Sequence, residues 1–559
     1  MVRMIGALAL LAFATAGIAA DHDGSDKPAA ANRALTAPLP ADQAAMKAHV
    51  LFLASDAMKG REAGSPEYDI AAQYVAAQMY AAGLKPGGDD GGYLQNVPLV
   101  SYRNAGEGNL VWSGGRGAAP QTLAFGIDYV PSANPARAAT NVSAPVVFVG
   151  QGIVAPQYRR NDYRGVDVRG KIVAFFGGAP SSFAGEERAF FGSAGTKLKL
   201  AADRGAIGAI QLMAPTATPA DIQRMAMGYE RPRMTWARPD GTGYSEAPSA
   251  PMLATLGPVA AAKLFAGAKV SWSAITAQAA RPAPAYKPVA LKGVLTVATK
   301  SAFVPATSSN VVGLVPGSDP ALAGEVVILS AHLDHIGVSA KEATGSGTDR
   351  INNGALDNAI GIASLIEEAK RFTASGVAPK RTVMFLAVTG EEKGLVGSSY
   401  FTDHPTVPLK SIVADVNLDM PILTYRFEDM VVFGAQRSTL GPIVERAVSA
   451  VGVGLSPDPM PEQGIFVRSD HFRFVQKGIP SVFLWPGQKG AGKAAVDHFM
   501  ATNYHRPSDD LTQPILWDQG VRFVDTNYRI ARGIADAPKR PVWNRGDYFG
   551  TLYHGPMAD

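Results

Sequence analysis

The chain contains no cysteine among its 559 residues. This absence excludes disulfides, thiolate metal ligands, cysteine nucleophiles and a lipid anchor on cysteine, so any metal site must use His, Asp and Glu. The chain also lacks long runs of like charge, and its formal net charge is only +4. Because nucleic-acid binding normally leaves a basic stripe, we expect no nucleic-acid partner.

An apolar stretch stands at the start of the chain. It runs from Ile5 to Ile18 after the basic Arg3, and the small residues Ala19 and Ala20 precede a polar segment. This order predicts a cleaved signal peptide over residues 1–20, and the stretch is short for a membrane span of about 20 residues. We therefore expect an exported protein, periplasmic or extracellular, with no stable membrane insertion after cleavage.

The length is too great for one ordinary domain, so we expect more than one folded unit. The composition of residues 21–43 indicates a flexible lead-in. Short β-like runs dominate residues 106–285, and a proline-punctuated linker ends them. We predict that this region is an inserted domain, which divides a main domain into residues 44–105 and 286–540. The tail, residues 541–559, either packs on the surface or extends to a partner.

From about residue 290 the pattern alternates between strands and helices. Continuous apolar runs at Val326–Ala331, Thr382–Thr389 and Ile412–Leu418 predict strands, and residues 358–372 and 395–401 predict helices. Strands that are apolar throughout are buried on both faces. The sequence therefore predicts an α/β fold in which helices cover both faces of a sheet.

Acidic and imidazole side chains follow all three of these predicted strands. They are His332 and Asp334, Glu391 and Glu392, and Asp419, with Asp357 at a helix start between them. Sites in open α/β sheets form beyond the carboxyl ends of strands. Each residue alone has an ordinary explanation, such as a structural hydrogen bond, a solvated helix start or a helix cap. Their joint occurrence predicts one crevice lined by His, Asp and Glu.

This donor set suits a pair of divalent metal ions. Imidazole and carboxylate ligands without thiolate are typical of catalytic zinc, and two ions need a carboxylate that bridges them. His332 and Asp334 would share a face of extended chain, so that one binds metal while the other fixes the imidazole tautomer. Glu391 and Glu392 would point in different directions, so that one binds metal and its neighbour acts as general base.

Several motifs, in this order, resemble the M28 family of zinc peptidases. They are Leu53-Ala-Ser-Asp-Ala-Met-Lys-Gly-Arg-Glu-Ala-Gly-Ser65, Ala331-His-Leu-Asp-His-Ile-Gly337, Asn353-Gly-Ala-Leu-Asp-Asn358, Gly390-Glu-Glu-Lys-Gly-Leu-Val-Gly-Ser398, Asn417-Leu-Asp-Met420 and Tyr504-His-Arg-Pro-Ser-Asp509. The resemblance covers roughly residues 44–105 and 290–535. The segment between them, especially Asp162-Tyr-Arg-Gly-Val-Asp-Val-Arg-Gly-Lys-Ile-Val173, resembles a protease-associated (PA) domain.

The resemblance implies a three-layer helix–sheet–helix zinc-peptidase domain, phosphorylase/hydrolase-like, with a mainly β PA domain inserted. It implies that His332, Asp357 and Asp419 hold one zinc ion. Asp357 would bridge to a second zinc ion, which Glu392 and His505 would also hold. Two Zn²⁺ ions are therefore the expected cofactors, with Co²⁺ or Mn²⁺ as alternatives.

Three further expectations come from the same resemblance. Glu391 would act as the general base, Asp334 would orient His332, and the peptide bond between Asp357 and Asn358 would be cis.

The choice of His505 rests on the family pattern alone. His471 and His498 both follow an aspartate and precede a phenylalanine, so the residues by themselves leave these histidines as competitors. A lone histidine beside a proline turn is more often structural than a ligand.

The resemblance implies an aminopeptidase, which hydrolyses N-terminal residues from peptides through a metal-activated water. The expected partners are therefore peptides with a free amino terminus. Three alternatives remain. A glutaminyl-cyclase-like transferase would use one zinc, a carboxypeptidase-type member would need a basic cluster in its pocket, and a catalytically inactive PA/M28 binding module would lack ligands or base. The insert is expected to be either a spacer or a partial cover that restricts substrate length.

Overall fold

The computed structural model describes residues 36–115, 117–279, 281, 284–339 and 349–559. The predicted signal peptide and residues 21–35 of the predicted lead-in lie outside these ranges. In the described part of the chain, no helix is both long enough and apolar enough to cross a bilayer.

The first two helices each begin next to a proline, at Pro40 and Pro66. In chain order the helices are α1 Ala41–Leu53, α2 Pro66–Ala81, α3 Gly185–Gly192, α4 Ala194–Ala202, α5 Pro219–Met227, α6 Pro258–Phe265, α7 Trp272–Ala279, α8 Ile360–Ala374, α9 Val396–Asp403, α10 Gly441–Ala450, α11 His471–Val475, α12 Gly492–Thr502, α13 Trp517–Ala535 and α14 Tyr548–Leu552. Proline favours the first helical turn because its missing N–H would have no partner there.

The strands belong mainly to two sheets that share one long strand. In chain order the strands are β1 Lys85–Pro86, β2 Leu94–Asn104, β3 Asn109–Ser113, β4 Gln121–Thr122, β5 Tyr129–Pro131, β6 Ala139–Phe148, β7 Val154–Ala155, β8 Arg160–Asn161, β9 Ile172–Phe176, β10 Gly208–Leu212, β11 Arg233–Trp236, β12 Met252–Leu256, β13 Val289–Val315, β14 Val326–His332, β15 Thr382–Val388, β16 Ile412–Leu418, β17 Asp429–Phe433, β18 Gly454–Ser456 and β19 Ser481–Pro486.

The main sheet runs in the order β11–β2–β13–β15–β14–β16–β19–β17–β18. Its central strands β15, β14, β16 and β19 are parallel. Alternate residues of β14 face opposite cores: Leu329 packs with the cluster that contains α8, whereas Ile328 packs with Phe401 of α9 and Phe474 of α11. Helices therefore cover both faces of the sheet, and the predicted α/β fold is confirmed.

The second sheet lies in the predicted insert and has hydrophobic cores of its own. Its order is β4–β3–β13–β6–β9–β10–β12–β5, and β6, β9, β10 and β12 are parallel. Residues 289–300 of β13 pair in this sheet, and residues 301–315 continue into the main sheet. The predicted boundary near residue 285 thus lies just before a strand that serves both sheets. The PA identity of the insert stays a prediction.

The C-terminal tail packs against the main domain. Trp543 is 1 % exposed, and its Nε1 donates to the carbonyl oxygen of Gly478 at 2.7 Å. Phe549 is fully buried and contacts Phe190 of α3, a helix of the insert. Of the two predicted roles for the tail, the described contacts therefore support packing on the surface.

Candidate metal centre and cleft

The ends of neighbouring parallel strands carry the predicted donors. His332 ends β14, Asp419 follows β16, and Glu391 and Glu392 follow β15 after one turn. Because β14 lies between β15 and β16 and all three run in one direction, their carboxyl ends meet at one edge of the sheet.

The first donor group consists of His332, Asp357 and Asp419. The Nε2 atom of His332 lies 3.1 Å from Oδ1 of Asp419 and 3.2 Å from Oδ1 of Asp357. All three residues are buried, with 1 %, 3 % and 9 % exposure respectively.

The second donor group uses the other oxygen of Asp357. Its Oδ2 lies 3.3 Å from Nε2 of His505, and that nitrogen lies 3.1 Å from Oε2 of Glu392. His335, the second histidine of the His-Leu-Asp-His motif, also belongs to this group, because its Nδ1 lies 2.7 Å from Oε1 of Glu392. One carboxylate, Asp357, is therefore common to both groups.

Each group has the composition and the spacing of a metal site. In His332–Asp357–Asp419 and in His335–Asp357–Glu392, one donor atom per residue lies within 4.8 Å of the others. Nε2 of buried His335 has no hydrogen-bond partner among the described residues, and the close contact of its Nδ1 with Oε1 of Glu392 lacks hydrogen-bond geometry. Buried polar atoms normally have partners, so these orphaned donors fit a site that holds cations.

The charges of the cluster are strongly coupled. Burial alone would lower the pKa of His332, but Asp419 and Asp357 raise it well above its ordinary value. Burial would likewise lower the pKa of His505, yet the hydrogen bonds to Asp357 and Glu392 raise it to about 10. In the protein alone, protonated imidazoles thus stabilise the carboxylates.

Glu391 lies in the same cleft without belonging to either donor group. It lines the cleft together with Asp357, Asp419 and His505. Burial is the main cause that raises its pKa well above the ordinary value, and the negative charges of Asp419 and Glu392 raise it further. Divalent cations at the donor groups would relieve this repulsion, since a bound ion is the largest local charge in such a site.

Asp334 contacts its neighbours differently from the expectation. The backbone carbonyl oxygen of Asp334 lies 3.0 Å from His332 Nδ1, within hydrogen-bond distance. The Asp334 carboxylate is 4.0 Å from the same nitrogen. The carboxylate instead accepts hydrogen bonds from the backbone N–H groups of Glu391 at 3.0 Å and Glu392 at 3.3 Å. Asp334 therefore fixes the turn that carries both glutamates.

The loop before α8 presents Asp357 to both groups. The peptide bond between Asp357 and Asn358 is cis, as the family resemblance predicted. The Asn358 side chain donates to the carbonyl oxygen of Leu418 at 2.9 Å and accepts from the N–H of Met420 at 3.0 Å. This side chain thus ties the loop to the end of β16, on either side of Asp419.

Two buried side chains that sequence reasoning left without a role hold the same loop. The Asp509 carboxylate accepts from the N–H groups of Leu356 and Asp357, both at 3.0 Å. The fully buried guanidinium of Arg61 donates to the carbonyl oxygens of Leu333 and Gly354, both at 2.8 Å. Both residues stood inside recognised motifs, but only their partners reveal what they do.

A chain of hydrogen bonds supports Asp419 from behind. Ser469 Oγ donates to Asp419 Oδ2 at 2.5 Å, and it accepts from Nδ2 of Asn417 at 2.6 Å. The Asn417 Oδ1 atom accepts in turn from Ser330 Oγ at 3.0 Å. All four residues have 9 % exposure or less, so this chain fixes the orientation of the carboxylate.

The three competing histidines lie in different surroundings. His505 contacts both donor carboxylates of the second group, and it has a left-handed backbone with φ +56°. His471 is fully buried against Phe466 and Phe483, and burial lowers its pKa to about 3. His498 lies on the exposed side of α12. Of these three histidines, His505 alone contacts a donor carboxylate among the described residues.

The floor and sides of the cleft are mostly apolar. A cavity of about 50 Å³ opens beside Asp419 and Glu391 and is also lined by Met420, Phe483 and Trp485. Tyr504 also lines this cavity, and its ring stacks on that of His505 with centroids 3.9 Å apart.

Parallel strands that end in histidine and carboxylate donors, with a separate buried glutamate, are an arrangement that metal-dependent hydrolases use. Residues 310–531 match the model of Peptidase family M28. The resemblance that the motifs carried is thereby confirmed.

Individual relatives match over parts of their length. The probable leucine aminopeptidase 2 of Aspergillus oryzae is 30 % identical over 258 residues, which are 42 % of this chain and 47 % of that protein. Aminopeptidase YwaD of Bacillus subtilis is 26 % identical over 213 residues, 38 % of this chain and 41 % of that protein. The chain thus spans about half, or less, of the length of these curated relatives.

Solved structures also align with this chain, in some cases over most of both chains. One of them is an aminopeptidase from Aneurinibacillus sp. strain AM-1, with 20 % identity and a TM-score of 0.47, and the alignment covers 89 % of this chain and 95 % of that one.

Proposed function

We propose that the protein is an exported aminopeptidase with a dinuclear zinc centre, which removes residues from the free amino end of peptides. The observation that carries the proposal is the position of Asp357, whose two oxygens face two separate donor groups while Glu391 lines the same cleft. A shared carboxylate between two groups of donors is what a two-metal hydrolase requires.

The donors would divide between the two ions as the motifs predict. His332, Asp357 and Asp419 would hold one ion, and Asp357, Glu392 and His505 would hold the other. Zinc is the ion that this nitrogen and oxygen donor set favours, with cobalt or manganese as substitutes. When bound, such a pair lowers the pKa of water and polarises the carbonyl group that is attacked.

Glu391 is the proposed general base. Its carboxylate takes a proton from the attacking water and then passes that proton to the leaving amine. Asp334 supports this step indirectly, because its carboxylate holds the N–H groups of Glu391 and Glu392 and so fixes where both side chains begin. Asp334 also faces His332 through its backbone oxygen, which sets the imidazole orientation.

The shape of the cleft supports an apolar first residue. Met420, Phe483 and Trp485 line the small cavity beside the donor groups. Transfer of an apolar side chain from water into this cavity would be favourable. The relatives from Aspergillus oryzae and Bacillus subtilis bear the name aminopeptidase, which supports the same reaction class.

The insert is proposed to act as a partial cover. Its residues 178–193 line a cavity of about 390 Å³ together with residues 461–468, and part of that segment also lines the cleft. A cover at this position would restrict the length of the peptide that binds.

Export rests on the sequence of residues 1–20. Mass spectrometry of the mature protein from the extracytoplasmic fraction should find an N-terminus near residue 21. Accumulation of full-length protein in the cytoplasm would rule out the proposed localisation.

The central experiment combines metal analysis with one substitution. The protein should contain two zinc ions per chain and should release the first residue from peptides such as Leu-Gly-Gly, with activity lost to a chelator. Glu391→Gln should lower turnover by about 10²–10⁴-fold, because a general base is lost. It should keep both ions. Wild-type turnover in that variant would show that the base is wrongly assigned.

The same measurements separate the alternatives. One zinc ion per chain together with cyclisation of N-terminal glutamine would indicate a glutaminyl-cyclase-like transferase. Release of the last residue rather than the first would indicate a carboxypeptidase. Peptide binding without any release, in protein that carries both ions, would indicate an inactive binding module.

A further inference from the structure

The guanidinium of Arg468 stands out as a cation without a carboxylate partner at the edge of a cleft rich in carboxylates. The residue is exposed, and it lines the small cavity beside Asp419, Glu391 and His505. Among the described residues, no aspartate or glutamate lies within ion-pair distance of this guanidinium, although other arginines of the region, such as Arg437 and Arg473, are paired.

Neutral groups hold this cation in place. One terminal nitrogen of Arg468 donates to the carbonyl oxygen of Gln463 at 3.2 Å, and the other donates to Tyr504 Oη at 3.1 Å. The Tyr504 ring is itself stacked on His505. A guanidinium has five N–H donors, so several remain free for a ligand while the two contacts set its orientation.

The insert stabilises the segment that carries Arg468. Gly434 donates its N–H to Glu186 Oε1 at 2.7 Å, and Arg437 pairs with the same glutamate, so α3 is fixed to the main domain. The helix then packs on residues 461–464: a side-chain carbon at Gly185 would lie 3.1 Å from Pro461 Cβ. The packing of α3 therefore supports the segment that carries Arg468.

Arg468 lines two cavities. It lines the small apolar cavity at the donor groups and the cavity of about 390 Å³ below the insert, which Arg188 and Glu462 line as well. A peptide held with its amino end at the donor groups would pass this guanidinium on its way out. Planar guanidinium groups bind carboxylates through paired N–H donors.

We propose that Arg468 is a specificity-determining residue that binds a carboxylate of the substrate. The carboxylate comes either from the C-terminus of a short peptide or from an acidic side chain next to the cleaved bond. This inference rests on the proposed aminopeptidase function, and it adds a preference for anionic peptides that the apolar cavity alone does not provide.

The test compares substrates that differ only in that charge. Leu-Gly is set against Leu-Gly-amide for the C-terminal source, and Leu-Glu-amide against Leu-Gln-amide for the side-chain source. The wild-type protein should favour the anionic member of at least one pair in KM by about 10-fold or more, the range of a hydrogen bond to a charged group. Arg468→Gln should remove that preference in KM.

Arg506→Gln is the matched control, because Arg506 is an exposed arginine next to His505 that does not line the cavity. It should keep the wild-type preference. A loss confined to the Leu-Gly pair assigns the contact to the peptide C-terminus, and a loss confined to the Leu-Glu-amide pair assigns it to a side chain. Equal preference in wild type and Arg468→Gln overturns the proposal.

Binding to an inactive variant separates this proposal from the proposed function. Calorimetry with the zinc-loaded Glu391→Gln protein should find tighter binding of the anionic peptide, and the additional Arg468→Gln change should abolish the difference. Equal binding of acid and amide overturns the role of Arg468 even if the protein is an aminopeptidase. If the wild-type protein shows no turnover, a binding difference that depends on Arg468 upholds the role and rejects the peptidase function.

Discussion

The two donor groups differ in how the fold holds them. His332 and Asp419 stand at the ends of central strands and are nearly inaccessible, whereas the His505 side chain is 35 % exposed and comes from a loop after α12. Donors on strands inherit the rigidity of the sheet, while a donor on a loop depends on its neighbours. The first group should therefore bind its ion more tightly than the second, and four experiments can break or sharpen that difference.

The largest effect is expected from Asp357→Asn, because this carboxylate belongs to both groups. The variant should lose most of both ions and at least about 10³-fold in turnover, since the bridge and its charge are both lost. His505→Gln should lose mainly one ion. Elemental analysis after dialysis measures both, with Asp518→Asn on the surface of α13 as control. Retention of two ions by Asp357→Asn would refute the shared carboxylate.

A second effect concerns the loop that carries Asp357. Gly354 has φ +61°, and a side-chain carbon there would lie 2.2 Å from the carbonyl oxygen of Asp357 and 2.6 Å from the His335 ring. Gly354→Ala should therefore lower the free energy of unfolding by more than the ~1–3 kcal/mol of a strained backbone alone.

Gly376→Ala is the control for that substitution, because Gly376 has φ +69° but no atom within 4 Å of the added carbon. It should show only the backbone cost, ~1–3 kcal/mol. Urea unfolding measures both variants. Equal losses of unfolding free energy in the two variants would mean that the loop accommodates the added carbon and does not fix Asp357.

A smaller effect is expected at the first group alone. Ser469→Ala removes the hydroxyl that donates to Asp419, so affinity for the ion at the first group should fall about 10–100-fold, as for other residues that orient ligands. Competition with a chelator measures this affinity. Ser364→Ala, a buried serine within α8, is the control. Loss of the ion from the second group instead would contradict the division of donors.

The last effect is a pH dependence at the second group. The pKa of His505 in the metal-free protein is raised from 6.5 to about 10, because the hydrogen bonds to Asp357 and Glu392 outweigh burial. A raised pKa contributes stability that is complete below pH 6.5 and is lost as the pH rises towards 10.

Urea unfolding of metal-free wild type and His505→Gln should therefore give a difference in unfolding free energy that shrinks between pH 6.5 and 10. Zinc affinity should change in the opposite direction, because the ion needs a deprotonated imidazole. A difference that stays constant over this window would show that His505 is not coupled to the carboxylates.

The sequence predicted the elements whose pattern is local and strong. The apolar run Ile412–Leu418 became β16 with the same bounds, and the helix predicted over residues 358–372 became α8, Ile360–Ala374. The 27-residue strand β13 was not predicted, because its polar residues alternate irregularly and Pro305 interrupts it. Its pairing partners lie in two sheets, and no local pattern records them.

The residues of the site also divide into those that local patterns predicted and those that they did not. Donors at strand ends were predicted from spacing, since chain direction alone brings the ends of parallel strands together. His335, Arg61 and Asp509 were not assigned roles, because their partners lie far along the chain or across a turn. The one local indication of a role for His335 was that it follows His332 by three residues.

Composition and spacing thus determined by themselves that a cysteine-free α/β chain would present His, Asp and Glu at three strand ends. Tertiary structure alone decided that Asp357 gives one oxygen to each donor group, that the Asp334 carboxylate holds the glutamate turn, and that Arg468 faces two cavities. The physical reason is separation along the chain. The sequence gives the chemistry of each side chain directly, whereas contacts between residues tens or hundreds of positions apart exist only after the sheets have formed.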